Sequence, residues 1–375
     1  MMPAAARAAP PVDRLRLPPG FHVAVLTDRV PSAREMAIGA QGTLFVGSMS
    51  AGAVYAVPLL PGGRAGRVRV VARGLTMPVG VAFRDGDLYV SEPRDILVLR
   101  GIEDRLDDPP APAVAVSGLP WRAGDHGWKF IAFGPDGKLY VPIGAPCNIC
   151  DVGHRFGKLM RMNPDGTGRE DVAWGIRNSV GLTWQDLGQI LGQHLGQHLG
   201  QPGRFVLWFT DNGRDLMGDD VPSDELNRLD HAGESFGYPY CHQGDVPDPV
   251  FGRLHACAEF TPPVLKLGAH VAALGLRFYD GAMFPHEYRG ALLIAEHGSW
   301  DRSRLAGYRV MTVRFGADGR VASYAPLLDG FQQDQIPWGR PVDVQPLADG
   351  SVLVSDDLAG AIYRVTYDGA ARGAR

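Results

Sequence analysis

The chain has 375 residues, 45% hydrophobic and 21% charged, which is ample for a large buried core. Its formal net charge is −4 with no basic run, which argues against nucleic acid as a partner. No apolar stretch approaches the roughly 18 residues that a membrane span needs.

The first residues, MMPAAARAAPPVDR, are small and proline-rich and lack the apolar centre of a secretory signal. Either the protein is cytosolic, or a signal was removed and replaced by a start methionine. Residues 1–16 read as a flexible lead-in, and 17–370 as a single domain. The early run FHVAVLTD, Phe21 to Asp28, alternates like a strand.

A repeating unit then runs down the chain. Each copy has a small or glycine-containing turn, an alternating apolar run, an Asp-Gly or similar hairpin turn, and a second alternating run. The copies begin with Met36 to Val57, Gly80 to Leu99, and Phe130 to Ala145, with KLMRMNPDG as the outer strand of the third. The fourth starts at Ser179 to Trp184 and resumes at Phe205 to Asp215. The fifth is LGLRFYDG, GALLIAEHGSW and YRVMTVRF. The sixth is Val342 to Tyr367. Six four-stranded antiparallel units predict an all-β, six-bladed β-propeller, closed by the early strand pairing with the last blade. A sandwich or open meander of unrelated hairpins is the plainer alternative.

Two insertions interrupt the repeat. Residues 187–203 carry LGQILGQHLGQHLGQ, in which each glycine costs a helix about 1 kcal/mol relative to alanine. We read it as a low-complexity hairpin extension. His194 and His198 have metal-ligand spacing on a helix, but repeat expansion explains them more simply. Residues 233–268 carry two cysteines and several aromatics and predict a structured loop over one face.

The four cysteines are Cys147 and Cys150, a C-x-x-C, and Cys241 and Cys257. Their spacing is compatible with two disulfides and an oxidising compartment. Free thiols and a four-cysteine zinc site are the alternatives.

In a propeller, functional groups collect where loops converge at one end of the channel. His126, in GDHGWKF, precedes an inner strand and is the residue type best suited to proton transfer near neutral pH. A histidine capping a loop is the bland reading. Arg177 and Asn178 hold the same place in the fourth repeat and offer donors to carbonyl or carboxylate oxygens. Asp211, Asp215, Asp219, Asp220, Asp224 and Glu225 crowd one segment, an oxygen-rich set that suits calcium or simply a solvated loop. His297, Trp300, Arg302 and Arg340 lie at blade entrances. Cations beside an aromatic plane suit a flat anionic ligand.

The runs HGWKFIAFGPDGKLYVPIGAPCNICD, GIRNSVGL, TDNGRD, DELN, FGYPYCHQGD, GAHVAALGLRFY and HGSWDRS together resemble the L-sorbosone dehydrogenase branch of the glucose/sorbosone dehydrogenases. That group resembles the soluble quinoprotein glucose dehydrogenase, and the likeness covers nearly the whole chain from Leu17. It implies a six-bladed propeller that binds pyrroloquinoline quinone (PQQ) with calcium, in the periplasm or outside the cell. It also implies a sugar or sugar-aldehyde substrate and an unidentified electron acceptor.

By this resemblance His126 is the general base, and Arg177 and Asn178 face the quinone carbonyls. Asn212, Gly213 and Arg214 form the cofactor and calcium segment, with the last two offering backbone carbonyls. Asp224, His270 and Arg340 also contact or adjoin the cofactor. Two departures stand out. Ala145 occupies the place of the carboxylate that orients the catalytic histidine, and Asp151 or Asn148 is the expected substitute. HGSW occupies the place of a cofactor-binding lysine. A calcium-dependent lactonase and a non-catalytic propeller binding module are the rival readings.

Overall fold

The structure is a computed structural model and describes residues 9–124, 126–187 and 205–369. Six sheets form the blades of an all-β propeller, antiparallel except where Glu234–Ser235 pairs parallel with Glu170–Trp174 at the edge of blade 3. Blade 1 runs through Ala33–Ile38, Thr43–Ser48, Ala53–Leu60 and Arg69–Arg73. Blade 2 comprises Val81–Arg84, Asp87–Ser91, Ile96–Leu99 and Ala113–Val116. Blade 3 comprises Ala132–Phe133, Leu139–Ile143, Lys158–Met162 and Glu170–Trp174. Blade 4 is Ser179–Asp186, Phe205–Asp211, Ser223–Leu229 and Leu265–Ala269. Blade 5 is Ala273–Tyr279, Ala291–Glu296, Arg309–Phe315 and Val321–Leu328. Blade 6 is Pro341–Pro346, Val352–Asp356 and Ala361–Tyr367.

The fourth strand of blade 6 is Phe21–Thr27, as the alternation predicts. It pairs antiparallel with Ala361–Tyr367, from Phe21 opposite Tyr367 to Thr27 opposite Ile362. The first and last strands therefore share one sheet, and the ring has no open seam. Phe21 drives this closure. It is buried and its ring meets Phe284, Tyr288 and Tyr367 at 4.8, 5.1 and 4.9 Å.

Three expectations need correction. The lead-in is anchored before residue 17: Val12–Arg14 make a 3-10 turn, Leu15 enters the core, and Arg16 exchanges backbone hydrogen bonds with Asp329. An apolar side chain and an available backbone edge outweigh the small, proline-rich composition. KLMRM is the third strand of blade 3, because Glu170–Trp174 pairs outside it. The 233–268 loop ends in strand Leu265–Ala269, the outermost strand of blade 4, which pairs with Ser223–Leu229. The rest of that loop is ordered by a short hairpin, Cys241–His242 with Val246–Pro247, and by stacked Tyr240 and Phe260.

Both disulfides form, Cys147–Cys150 and Cys241–Cys257, so the free-thiol and zinc readings of the cysteines fall. The LGQ insertion, with His194 and His198, lies outside the described residues. No helix is long and apolar enough to cross a membrane among the described residues.

The inner strands crowd the axis. A Cβ on Gly181 would stand 2.1 Å from the Leu274 carbonyl oxygen, and one on Gly80 2.2 Å from that of Lys129. Only glycine allows such an approach. A buried polar network crosses the axis. Glu35 Oε2 accepts the amides of Val81 and Ile131, in or beside the inner strands of blades 2 and 3. Arg277 of blade 5 lies 3.8 Å from both Glu35 and Asp343, of blades 1 and 6. An apolar plug of Val79, Phe130, Val180, Leu274 and Val342 also fills the channel.

The closure predicts that Phe21→Ala costs about 3–5 kcal/mol, the range for truncating a buried aromatic. Urea unfolding followed by tryptophan fluorescence checks this. An unchanged midpoint would mean that the ring closes without Phe21.

Candidate functional site

A cleft of about 430 Å³ opens above the plug. Its walls come from two recurring positions in the blades. One is the residue just before, or at the start of, an inner strand. This supplies Arg34, Asn178, Ala272 and Arg340. The other is the residue just after a second strand, which supplies Met49, Asn212, His297 and Asp357. The repeat thus delivers polar groups to one rim from blades far apart in sequence.

The backbone at these positions is held by side-chain acceptors at the ends of second strands. Asp211 accepts the amides of Arg177 and Asn178 at 2.9 and 2.6 Å. Asp356 accepts that of Arg340 at 2.9 Å, and Ser91 that of Gly80 at 2.8 Å. All three acceptors are buried. Burial raises the carboxyls of Asp211 and Asp356, the latter to about 6, against the pull of these amides.

His126 lines the cleft and is buried. Its backbone φ is +33°, uncommon for a residue with a side chain and frequent at functional sites. Nδ1 lies 2.8 Å from the carbonyl oxygen of Ala145. A carbonyl only accepts, so Nδ1 carries the hydrogen and Nε2 keeps its lone pair. Burial, then the nearby Arg177 charge, pushes the imidazole down to about 3. The ring is thus a neutral base at neutral pH.

This resolves the departure at Ala145. The residue lacks a carboxylate, but its main-chain oxygen orients the ring. Neither expected substitute does so. Asn148 receives Arg177 on its own oxygens and bonds the backbone of Asp215, and Asp151 is exposed and caps Gly153.

Arg177 is buried and fully engaged. Its guanidinium donates to Asn148, to the carbonyl of Asn212 and to Asp215. It therefore contributes a fixed positive charge beside His126. Asn178, Asn212, Gly213, Asp224, His270, His297, Trp300 and Arg340 also line the cleft. Asp224 is buried and pins two loops by accepting the amides of Gly213 and Ala272, while burial raises its carboxyl to about 7. Trp300 stands exposed at the mouth.

Two residues sit elsewhere. Arg302 turns to the Ala269 carbonyl and Asp220, and the Arg214 side chain pairs with buried Asp248. The six clustered acids do not converge. Asp211 and Glu225 bind backbone amides, and Asp219 and Asp220 meet Ser303 and Arg302 at the surface. Only Asp215 and Asp224 line the cleft.

Sequence reasoning missed Arg34, Asp301 and Asp357. Asp357 bridges His297 Nε2 at 2.9 Å and Arg34 Nη1 at 2.8 Å. Burial alone would raise its carboxyl, but these partners hold it well below the usual range. A signal existed. Aligning the ends of second strands, TDN, AEH and SDD, puts Asn212, His297 and Asp357 in register.

Fold and site together define a six-bladed propeller with a cation-bearing cleft at one channel mouth. The same fold occurs in the PQQ domain of a pyranose dehydrogenase from Coprinopsis cinerea. That structure is 19% identical with a TM-score of 0.75, and the match covers 94% of this chain and 97% of that one. A calcium structure of the family AA12 enzyme of Trichoderma reesei gives 20% identity and a TM-score of 0.74, covering 94% and 97%. A PQQ-bound aldose sugar dehydrogenase from Streptomyces coelicolor gives 20% and 0.64, covering 94% and 100%.

By sequence, residues 253–368 match the TrAA12-like family. An uncharacterized protein of Borreliella burgdorferi is 31% identical over 367 residues, covering 94% of this chain and 91% of that one. The chain belongs to the same family as that protein.

The His126 geometry predicts an Nδ1–H tautomer that stays neutral through pH 5 in the cofactor-free protein. Long-range 1H–15N correlation spectra read this directly, and an imidazolium signal at pH 6 would contradict it. Because folding lowers this pKa, its contribution to stability is intact above about pH 6.5 and is lost as pH falls toward 3.

Proposed function

We propose that this protein is a quinoprotein sugar dehydrogenase. It uses PQQ with calcium and acts on an aldose or a sugar aldehyde such as sorbosone. The observation that carries the reading is the neutral His126, with its Nε2 lone pair free, in a cleft rimmed by Arg34, Arg177 and Arg340.

The residues fit the cofactor. PQQ is flat and carries three carboxylates, and the cleft volume lies in the usual range for ligand sites. Trp128 and Trp300 offer aromatic planes, and Arg34 keeps a buried Nε with no hydrogen-bond partner. The residues also fit calcium. The carbonyls of Gly213 and Arg214 accept no hydrogen bond among the described residues, and calcium takes such oxygens.

PQQ, when bound, supplies the two-electron acceptor for the hydride on the substrate carbon. His126 takes the substrate hydroxyl proton at Nε2, while its Nδ1–H stays on the Ala145 carbonyl. Arg177 holds a positive charge where negative charge develops, in a position fixed before reaction by Asn148, Asn212 and Asp215. Asn178 adds an amide at the same rim, and Arg340 supplies a cation opposite. The apolar plug and Trp128 limit water from the channel side. The two disulfides support an oxidising compartment, the periplasm or the cell exterior. The physiological electron acceptor is replaced by a dye in the test.

Apoprotein given PQQ and calcium is expected to reduce a dye with one or more members of a panel of aldoses and sugar aldehydes. Replacing His126 by Ala is expected to lower kcat by about 10²–10⁴ while the cofactor absorption band forms as before. No turnover across the panel would contradict the activity. A fully active His126→Ala would show that another base operates.

A further inference from the structure

Three side chains of the cleft converge on one another, and no step of the dehydrogenase reading uses them as a set. They come from separate segments: Asp215 beyond the second strand of blade 4, His270 before the inner strand of blade 5, and Asp301 beyond its second strand. One imidazole nitrogen and two carboxylate oxygens from this trio lie within 4.8 Å of one another.

The hydrogen bonding leaves those atoms to one another. His270 Nε2 lies 2.9 Å from the Gly218 carbonyl oxygen and must donate to it, so Nδ1 is the nitrogen left to face the carboxylates. Asp301 Oδ1 stands 3.4 Å from that nitrogen. The two side chains are 3% and 5% exposed, and Asp301 Oδ1 is buried without any hydrogen-bond partner. A buried carboxylate oxygen without a hydrogen-bond partner is costly unless a cation meets it.

We propose that Asp215, His270 and Asp301 form a binding site for a divalent first-row metal ion of the zinc class. A tetrahedral zinc with ligands at about 2.1 Å holds them about 3.4 Å apart, which is the His270–Asp301 separation. Three protein ligands leave a fourth position open to the cleft. The Nε2–H bond to a backbone carbonyl is the usual device that orients a ligating histidine. Arg177 Nη2 grips Asp215 Oδ2 at 2.6 Å, so the carboxylate is fixed while Oδ1 makes no hydrogen bond among the described residues. The imidazole sets this trio apart from the all-oxygen surroundings that calcium prefers. Its ligands are three side chains and not the Gly213 and Arg214 carbonyls, and filling it needs no quinone.

The test is calorimetric titration of the full chain, stripped with chelator and free of PQQ, with zinc chloride and separately with calcium chloride. One zinc per chain is expected, bound more tightly than calcium, with a raised midpoint of thermal unfolding. Asp301→Asn and His270→Gln are each expected to weaken zinc at least tenfold while far-UV circular dichroism is unchanged. If either variant fails to fold, the 15N shift of His270 Nδ1 on adding zinc to the wild type decides. A large shift at one equivalent supports the site, and none overturns it. No stoichiometric zinc binding to the wild type, or binding that survives both substitutions, would also overturn it. Calcium bound more tightly than zinc through these residues would overturn the choice of ion.

Discussion

The backbone amides that open the inner strands are held by buried side-chain acceptors in the same blade, and the channel mouth depends on this. Asp211, Asp356 and Ser91 each end a second strand and each take amides at the start of the neighbouring inner strand. A buried amide left without its acceptor costs about 1–3 kcal/mol. The larger effect is positional, because Arg177, Asn178 and Arg340 project from the backbone so held. The catalytic-looking rim is thus built from below, by groups that do not themselves face the cleft.

Charge follows the same layering. Asp211 and Glu225 sit beneath the rim, saturated by amides and by Asn227, with burial raising both carboxyls. Above them Arg34, Arg177 and Arg340 present positive charge to the cleft. His126 belongs to this upper layer, and the same burial that raises the carboxyls keeps its ring neutral. One physical effect, desolvation, therefore acts in opposite directions on the acids and the base of one channel mouth. Its outcome is a neutral base beside fixed cations.

Most of the fold was legible in the sequence because closure repeats one hairpin pattern around an axis. The alternation in FHVAVLTD and the Asp-Gly turns carry the register. What escaped was non-periodic. Leu15 anchors a segment whose composition reads as loose, and Leu265–Ala269 pairs with a strand across a long loop that hides it. In the site, positions that recur just before inner strands were readable, as with Asn178 and Arg340, whereas His126 stands well ahead of the inner strand Ala132–Phe133 and outside that recurrence. Ala145 was not readable, since its contribution is a main-chain oxygen that no side-chain pattern reports. Arg302 and the Arg214 side chain turned away because Asp220 and Asp248 pair with them, and such partners become visible only in three dimensions. Asp301 lies in the HGSWDRS run, which gives it no role of its own. It matters because folding brings it within reach of His270 and Asp215.

The central claim is that this cleft is the seat of a quinone. The most direct measurement is a crystal structure of the chain grown with PQQ and calcium. The account predicts density for the quinone in the cleft bounded by His126, Arg177 and Arg340, with His126 still bonded through Nδ1 to the Ala145 carbonyl. A cleft that stays free of PQQ at saturating concentration, or PQQ bound elsewhere on the propeller, would contradict it.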